Sequence, residues 1–467
     1  MSCDVVVCGG GITGLTVAYR LVAAGRRVEL LESGSRLGGS ILTIRRDGFI
    51  FDGGPDAFIT AKPQVKDLAK DLGIAGRLIE TQPASRGIYF LKGGALHRLP
   101  EGVALAVPTK FWPLMSSPLF SKLGVLRMGL DLVLPKRKER ENEDESIASF
   151  LRRRLGQDSV DLFGEPLLAG IYSGDPSQLS MRATFPQLVA LEEKYGSLVK
   201  GSLAARANAP RGAAPSVFQS FQTGMAEIVE ALEAAIKSLG GVIHQRRPAH
   251  GVERIGGRVR VVTESGPIDC GHVVLALPAT SAATLLEPLD GEVARNLRRI
   301  PHVSTAACHL AFRREDIPHA MDAAGVLFLR SEGRDASALT FMSSKWGGRA
   351  PDGAALLRVF FGGYAHPEVR TMSDDDLAVA ARRELRDVLG IEAPPLTSQI
   401  FRWNECRPQP VRGHLARLAE VEKNLKGLGN VWLCGGAYDG VGVPDCIRQA
   451  NSVAQSILGS LGTPAAA

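Results

Sequence analysis

The pattern of apolar positions near the N-terminus changes period twice. In DVVVCGGGITGLTVAYRLVAAGRRVELLES, a continuous apolar run suited to a buried parallel strand gives way to glycines. A helix pattern follows with Leu15, Ala18, Leu21 and Val22 on one face, and after Gly25 comes a second strand-like run. This order predicts a βαβ unit. Further along, Met225, Ile228, Val229, Leu232, Ile236 and Leu239 recur at helical spacing, just after the turn-rich connector PRGAAP, residues 210–215, which reads as a domain crossing. Short strands with Gly-containing turns then form a meander ending in an apolar strand at 273–277. The region 146–207 has helical periodicity, and 306–361 is rich in strand patterns. NVWLCGGAYDGVGVPDCIRQ predicts strand, turn at Gly435 and Gly436, then a helix beginning near Pro444, where a missing N–H is harmless.

Composition narrows the class. At 467 residues and 45% apolar content, two or three domains with their own cores are expected. The net charge of +6, from 55 basic and 49 acidic residues, is spread along the chain and gives no nucleic-acid footprint. Seven cysteines without a C-x-x-C pair suggest neither a disulfide framework nor a zinc site, so a reducing cytoplasm is expected and no metal. A strand beginning by Asp4 leaves no space for a signal peptide, and no apolar run is long enough to span a bilayer.

The glycines of the first turn carry the chemistry. Gly9, Gly11 and Gly14 form G-x-G-x-x-G between strand and helix, with Thr13 inside the motif. The first glycine permits a tight turn, the second lets backbone approach a pyrophosphate, and the third lets helix and strand pack closely. The helix N-terminus then faces the phosphates. Glu32, ending the second strand, can bind ribose hydroxyls, and its charge argues against a 2′-phosphate. Ser33, Arg36, Gly38 and Gly39 in SGSRLGGS extend the site, and FDGGPDAF adds a second glycine-rich approach through Gly53, Gly54 and Pro55.

This long E-x(3)-R-x-G-G run resembles the FAD site of the flavin amine oxidase superfamily. The resemblance implies non-covalent FAD. It also assigns FAD contacts to Val252, in AHGVERI, to Ala276, and to Gly435, Gly440, Val441, Gly442 and Val443 near the C-terminus. The fold implied is α/β: a Rossmann-like FAD-binding domain of the amine oxidase/p-hydroxybenzoate hydroxylase type, a mixed-sheet substrate domain and a helical, membrane-associated domain. Their expected extents are 1–85, 213–283 and 424–467; 86–99 and 284–423; and 100–212.

EPLLAGIYSGDPSQLSMRATFPQL, GGALHRLP, LLRVFFGG and GVGVPDCI together resemble the porphyrinogen oxidases of haem biosynthesis over nearly the whole chain. That family oxidises protoporphyrinogen IX or coproporphyrinogen III, passing hydride to FAD and electrons on to molecular oxygen. No nucleophile or strong general base is demanded of the protein, whose task is to orient a planar substrate. By resemblance, Gly170 makes room for the tetrapyrrole and Leu327 sandwiches it, while Ala324 stands where some relatives have an aromatic. Substrate propionates need cations, and Arg86 and Arg407 are the candidates, although Arg86 is displaced by about two residues and Arg407 stands where relatives commonly have an apolar residue. An anchor at Arg407 would favour a substrate with four propionates over one with two.

The stretch ALAVPTKFWPLMSSPLFSKL lies beside GGALH. With Trp112 and Phe120 as an interfacial belt and Lys110, Lys122 and Arg127 at headgroup level, it is expected to form a greasy entrance, with residues 102–134 touching a membrane surface and the protein peripheral on its inner face. A core helix with proline breaks is the plainer alternative. The resemblance also implies a homodimer. Competing functions on the same scaffold are an amine oxidase or a carotenoid desaturase, and, in another class, a non-catalytic tetrapyrrole-binding flavoprotein; for an amine oxidase cage the C-terminal segment offers Tyr438 alone.

Overall fold

The computed structural model describes residues 3–137, 144–166, 171–208 and 216–461. It divides into two compact units, one formed by Met1–Glu80, Ser216–Pro301 and His414–Ala467, the other by Thr81–Pro215 and His302–Gly413. The connector at 210–215 lies outside the described residues.

The first unit is built on the predicted βαβ element. The strand Cys3–Cys8 leads through the glycine turn into the helix Ile12–Ala23 and the strand Val28–Leu31. Among the described residues these strands join a seven-stranded sheet. Val242–His244, Val28–Leu31, Cys3–Cys8, Ile268–Leu275 and Val431–Leu433 run parallel, and Arg258–Thr263 and Ala249–Ile255 add an antiparallel meander. Ile268–Leu275 serves both parts: Val259 pairs with Cys270 near its start, while Val274 and Leu275 pair with Val7 and Cys8 near its end. Sequence pattern placed this strand at 273–277, because its first half alternates and so reads as meander.

Leu15, Ala18, Leu21 and Val22 are buried as the periodicity required, packed with Ile228, Leu232 and Ile236 and with Ile447, Ala450 and Ile457 of the C-terminal helix Val443–Leu461. Burying each of the leucine, isoleucine and valine side chains among them stabilises by roughly 1.5–3 kcal/mol. Leu239 is the exception on the middle helix: the helix ends at Ser238, and Leu239 is half exposed.

The second unit carries another seven-stranded sheet, in the order Thr397–Pro408, His302–Arg313, Ala354–Gly362, Ala336–Phe341, Gly325–Phe328, Tyr89–Lys92 and Ala95–Arg98. Gly325–Phe328 and Tyr89–Lys92 are parallel and the remaining pairs antiparallel. Helices Ile147–Leu155, Pro186–Tyr195 and Leu198–Ala207 occupy the region read as helical. They gather round a buried guanidinium. Arg154 donates Nε to Asp131 Oδ1 at 2.6 Å and Nη2 to the Gly196 carbonyl at 2.9 Å, while Asp131 Oδ2 accepts from Ser197 Oγ and the Val199 N–H.

Between the strand Ala95–Arg98 and these helices in the chain lies the greasy stretch. Trp112 is 81% exposed, as an interfacial residue requires. Phe120 is not: it is buried, with its ring 6.0 Å from that of Phe163. Arg127 is also spoken for, donating to the carbonyls of Arg152, Arg153 and Arg154. Lys110 and Lys122 are exposed, and so are the apolar side chains of Leu105, Leu123, Leu126, Leu130 and Val133. No helix among the described residues is long and apolar enough to cross a membrane.

Candidate functional site

The first unit converges on the glycine turn. Gly9 has φ +108, a conformation that other residues rarely adopt, and a Cβ there would sit 2.4 Å from the Ala276 carbonyl oxygen. A Cβ on Gly14 would sit 1.9 Å from the Gly9 oxygen, so strand, turn and helix touch backbone to backbone. Gly11 differs: the atom nearest to its missing Cβ is Gly39 Cα at 3.9 Å. Open space over the second glycine, at the mouth of a helix whose first N–H groups have no helical partner, is what a pyrophosphate needs. Thr13, on the first turn of the helix, is buried.

The neighbouring residues hold this mouth. Gly11 bridges to Gly38, and Gly38 donates its N–H to Gly10. Glu32 accepts from the Gly10 N–H at 2.7 Å with one oxygen and from the Gly34 N–H at 2.7 Å with the other, and Ser33 Oγ adds a longer contact. These bonds aim the carboxylate. Arg36 wraps its own loop, donating to the carbonyls of Gly39, Leu37 and Ile41, and partial desolvation of its guanidinium lowers its pKa. Gly53 donates to Leu42, Gly54 crosses against the Ser40 carbonyl, and Pro55 follows. Val252 is fully buried on the edge strand, in one apolar cluster with Cys8 and Leu31.

The C-terminal turn belongs to the same unit. Gln449, buried on the last helix, accepts from the Gly435 N–H and donates to the Asp439 carbonyl, tying both ends of the turn that leads to Gly440, Val441, Gly442 and Val443. Nothing in the sequence marked Gln449; its signal is a polar residue on the buried face of an amphipathic helix. Asp445 closes the other side. Its carboxylate packs over Gly440 and Gly442 and is held by Lys62 at 2.6 Å. Asp439, by contrast, is exposed and pairs with Arg448. Tyr438 lies in the core with its hydroxyl against the Leu277 carbonyl, and burial pushes its pKa up.

The model of the flavin containing amine oxidoreductase family matches residues 12–458. The chain belongs to this family. It has the family's mixed α/β fold and is an FAD-dependent oxidoreductase. A coproporphyrinogen III oxidase of Propionibacterium freudenreichii subsp. freudenreichii is 34% identical over 98% of this chain and 91% of its own. A coproporphyrinogen III oxidase of Bacillus subtilis (strain 168) is 31% identical over 97% of each chain. The crystal structure of a protein from Exiguobacterium sp. 255-15, named "Putative protoporphyrinogen oxidase", superposes with a TM-score of 0.86 at 31% identity, covering 98% of this chain and 99% of that one. The open cradle over Gly11 and the aimed Glu32 carboxylate fit the FAD this family carries.

The remaining predicted residues all fall in the second unit. Arg86 is exposed where a short turn meets the sheet, and its carbonyl accepts from Arg98. Next to it the Gly87 carbonyl accepts from the Ala324 N–H at 3.0 Å, and Leu327, buried, pairs with Phe90 across the parallel strands. Arg86 and Ala324 thus stand just before two neighbouring parallel strands, and Leu327 lies within the second of them. Gly170 lies outside the described residues, but its neighbour Ile171 accepts a hydrogen bond from Arg407 Nη1 at 3.3 Å. Arg407 is half-buried, burial lowers its pKa, and it has no carboxylate partner among the described residues.

Proposed function

We propose that this protein oxidises a porphyrinogen to the corresponding porphyrin in haem biosynthesis, with coproporphyrinogen III as the preferred substrate. The names of the full-length relatives support the reaction class. The observation that carries the substrate preference is Arg407: a half-buried guanidinium that meets no carboxylate among the described residues is a receptor for one. Four propionates profit from such a group more than two.

Bound FAD supplies a two-electron acceptor, and three successive oxidations, each returning electrons to oxygen as hydrogen peroxide, remove the six hydrogens that separate porphyrinogen from porphyrin. The chain's own residues bind and orient. In this reading Gly9, Gly11, Thr13, Gly14, Glu32 and the turns at Gly38, Gly53 and Gly440 hold the cofactor. Leu327 presents an apolar face to the macrocycle, Ala324 leaves width beside it, and Arg86 and Arg407 receive carboxylates. The exposed row of Trp112, Leu123, Leu126, Leu130 and Val133 supports a further element of the reading, a lipid surface as docking partner.

Anaerobic mixing of holoprotein with coproporphyrinogen III, and separately with protoporphyrinogen IX, tests the proposal through bleaching of the flavin. Both should bleach it, the former at lower concentration. Arg407→Ala should raise KM for coproporphyrinogen III about tenfold, the loss of about 1.4 kcal/mol, and change protoporphyrinogen IX less. Equal losses on both substrates would defeat the preference, and no bleaching by either would defeat the function.

A further inference from the structure

Arg330 stands in the turn Arg330–Glu332, directly after the strand Gly325–Phe328 that carries Leu327. Its side chain is 65% exposed, and its one carboxylate contact among the described residues is Nη1 to Glu165 Oε1 at 3.4 Å. For an arginine and a carboxylate this is a poor match. The favoured geometry is a two-pronged fork with shorter bonds, and here a single long contact leaves most of the guanidinium donors unused. A partly exposed pair of this kind holds together weakly.

Glu165 is the less comfortable partner. Its side chain is 23% exposed, and burial pushes its carboxyl pKa upward, with Asp175 adding to the push and Arg330 and His366 opposing it. The carboxylate therefore has little solvation of its own and only a single long contact with its cation. Five residues before Gly170, Glu165 also begins the segment whose other end, Ile171, holds Arg407. Arg330 thus has a poorly matched carboxylate, and Arg407 has none among the described residues.

We propose that Arg330 is a second carboxylate anchor for the substrate, and that Glu165 is a built-in stand-in that an incoming propionate displaces. Resting on the porphyrinogen reading above, this adds a residue that sequence reasoning did not select. Arg330 binds substrate directly; Glu165 acts through Arg330, as a positioning residue that keeps the guanidinium facing its segment until substrate arrives. No bond is made or broken in the exchange. One carboxylate replaces another on the same cation, and the incoming one can take both prongs of the fork.

The test is a double-mutant cycle on the FAD-loaded protein, reading the Kd for coproporphyrin III by its absorbance change and KM for coproporphyrinogen III. Arg330→Gln should weaken both about tenfold, with the change in KM rather than kcat. Glu165→Gln should tighten coproporphyrin III binding several-fold, because the competitor is gone, and in the Arg330→Gln background the same substitution should do nothing. If the gain persists in that background, Glu165 merely repels the substrate's charge at a distance and the stand-in role is overturned. If Arg330→Gln leaves Kd and KM unmoved, the anchor itself is overturned. Arg330→Lys, which keeps the charge and loses the fork, should fall between wild type and Arg330→Gln, and it serves if a Glu165 variant folds poorly. Failure of the underlying reading looks different: wild-type holoprotein would then neither bind coproporphyrin III nor oxidise its porphyrinogen, and the anchor would fall with it.

Discussion

At the scale of single residues, two glycines of one motif do opposite jobs. Gly11 has φ −72 and ψ 175, which any residue accepts, and a Cβ there would come no nearer than the 3.9 Å to Gly39 Cα. Gly11→Ala should cost the apoprotein about 1 kcal/mol at most and still lower FAD retention sharply, because the methyl group enters the pyrophosphate's space. Gly14→Ala drives a methyl group into the Gly9 carbonyl and should lower both apoprotein stability, by roughly 1–3 kcal/mol, and FAD retention. Thermal melting of the two apoproteins, with flavin absorbance after reconstitution, separates these outcomes. The motif itself was legible from spacing. The aim of Glu32 was not, since the Gly10 and Gly34 N–H groups that orient it are donors every residue type but proline possesses.

At the scale of elements, periodicity located helices well and assigned their faces poorly where every face is apolar. In the helix Lys122–Gly129, Val125 and Met128 point inward, whereas Leu123 and Leu126, with Leu130 and Val133 beyond its end, form an exposed row. The expectation for Phe120 failed for the same reason: apolar character says that a side chain leaves water, and the choice of Phe163 over lipid as its cover depends on packing. Trp112→Glu combined with Leu123→Glu should abolish co-sedimentation with anionic phospholipid vesicles. Because both side chains are already solvated, the variant should melt within about 0.5 kcal/mol of wild type. Undiminished co-sedimentation of this variant would remove the lipid surface from the list of partners.

At the scale of the whole molecule, distant segments are joined by buried polar contacts that carry no sequence signature. Arg154 and Asp131 are both fully buried and gather the carbonyls of Pro135 and Gly196 with the Ser197 hydroxyl. Arg154→Leu leaves the Asp131 charge without its cation and should destabilise the second unit by about 3–5 kcal/mol, measurable as an early transition in denaturant. Replacing both partners with apolar residues should recover part of that loss.

The sequence by itself determined the βαβ element, its glycine turn and the strand-turn-helix at the C-terminus, because each is set by interactions among residues near in the chain, where spacing and residue type carry the information. Tertiary structure alone decided which cations, among the described residues, lack a matched carboxylate. Arg407 meets its backbone acceptor across 236 positions and Arg330 its glutamate across 165, and no local pattern encodes whether such partners arrive. Charge pairing over that distance follows from how the sheet and the helical segments pack, so it is settled only once the chain has folded.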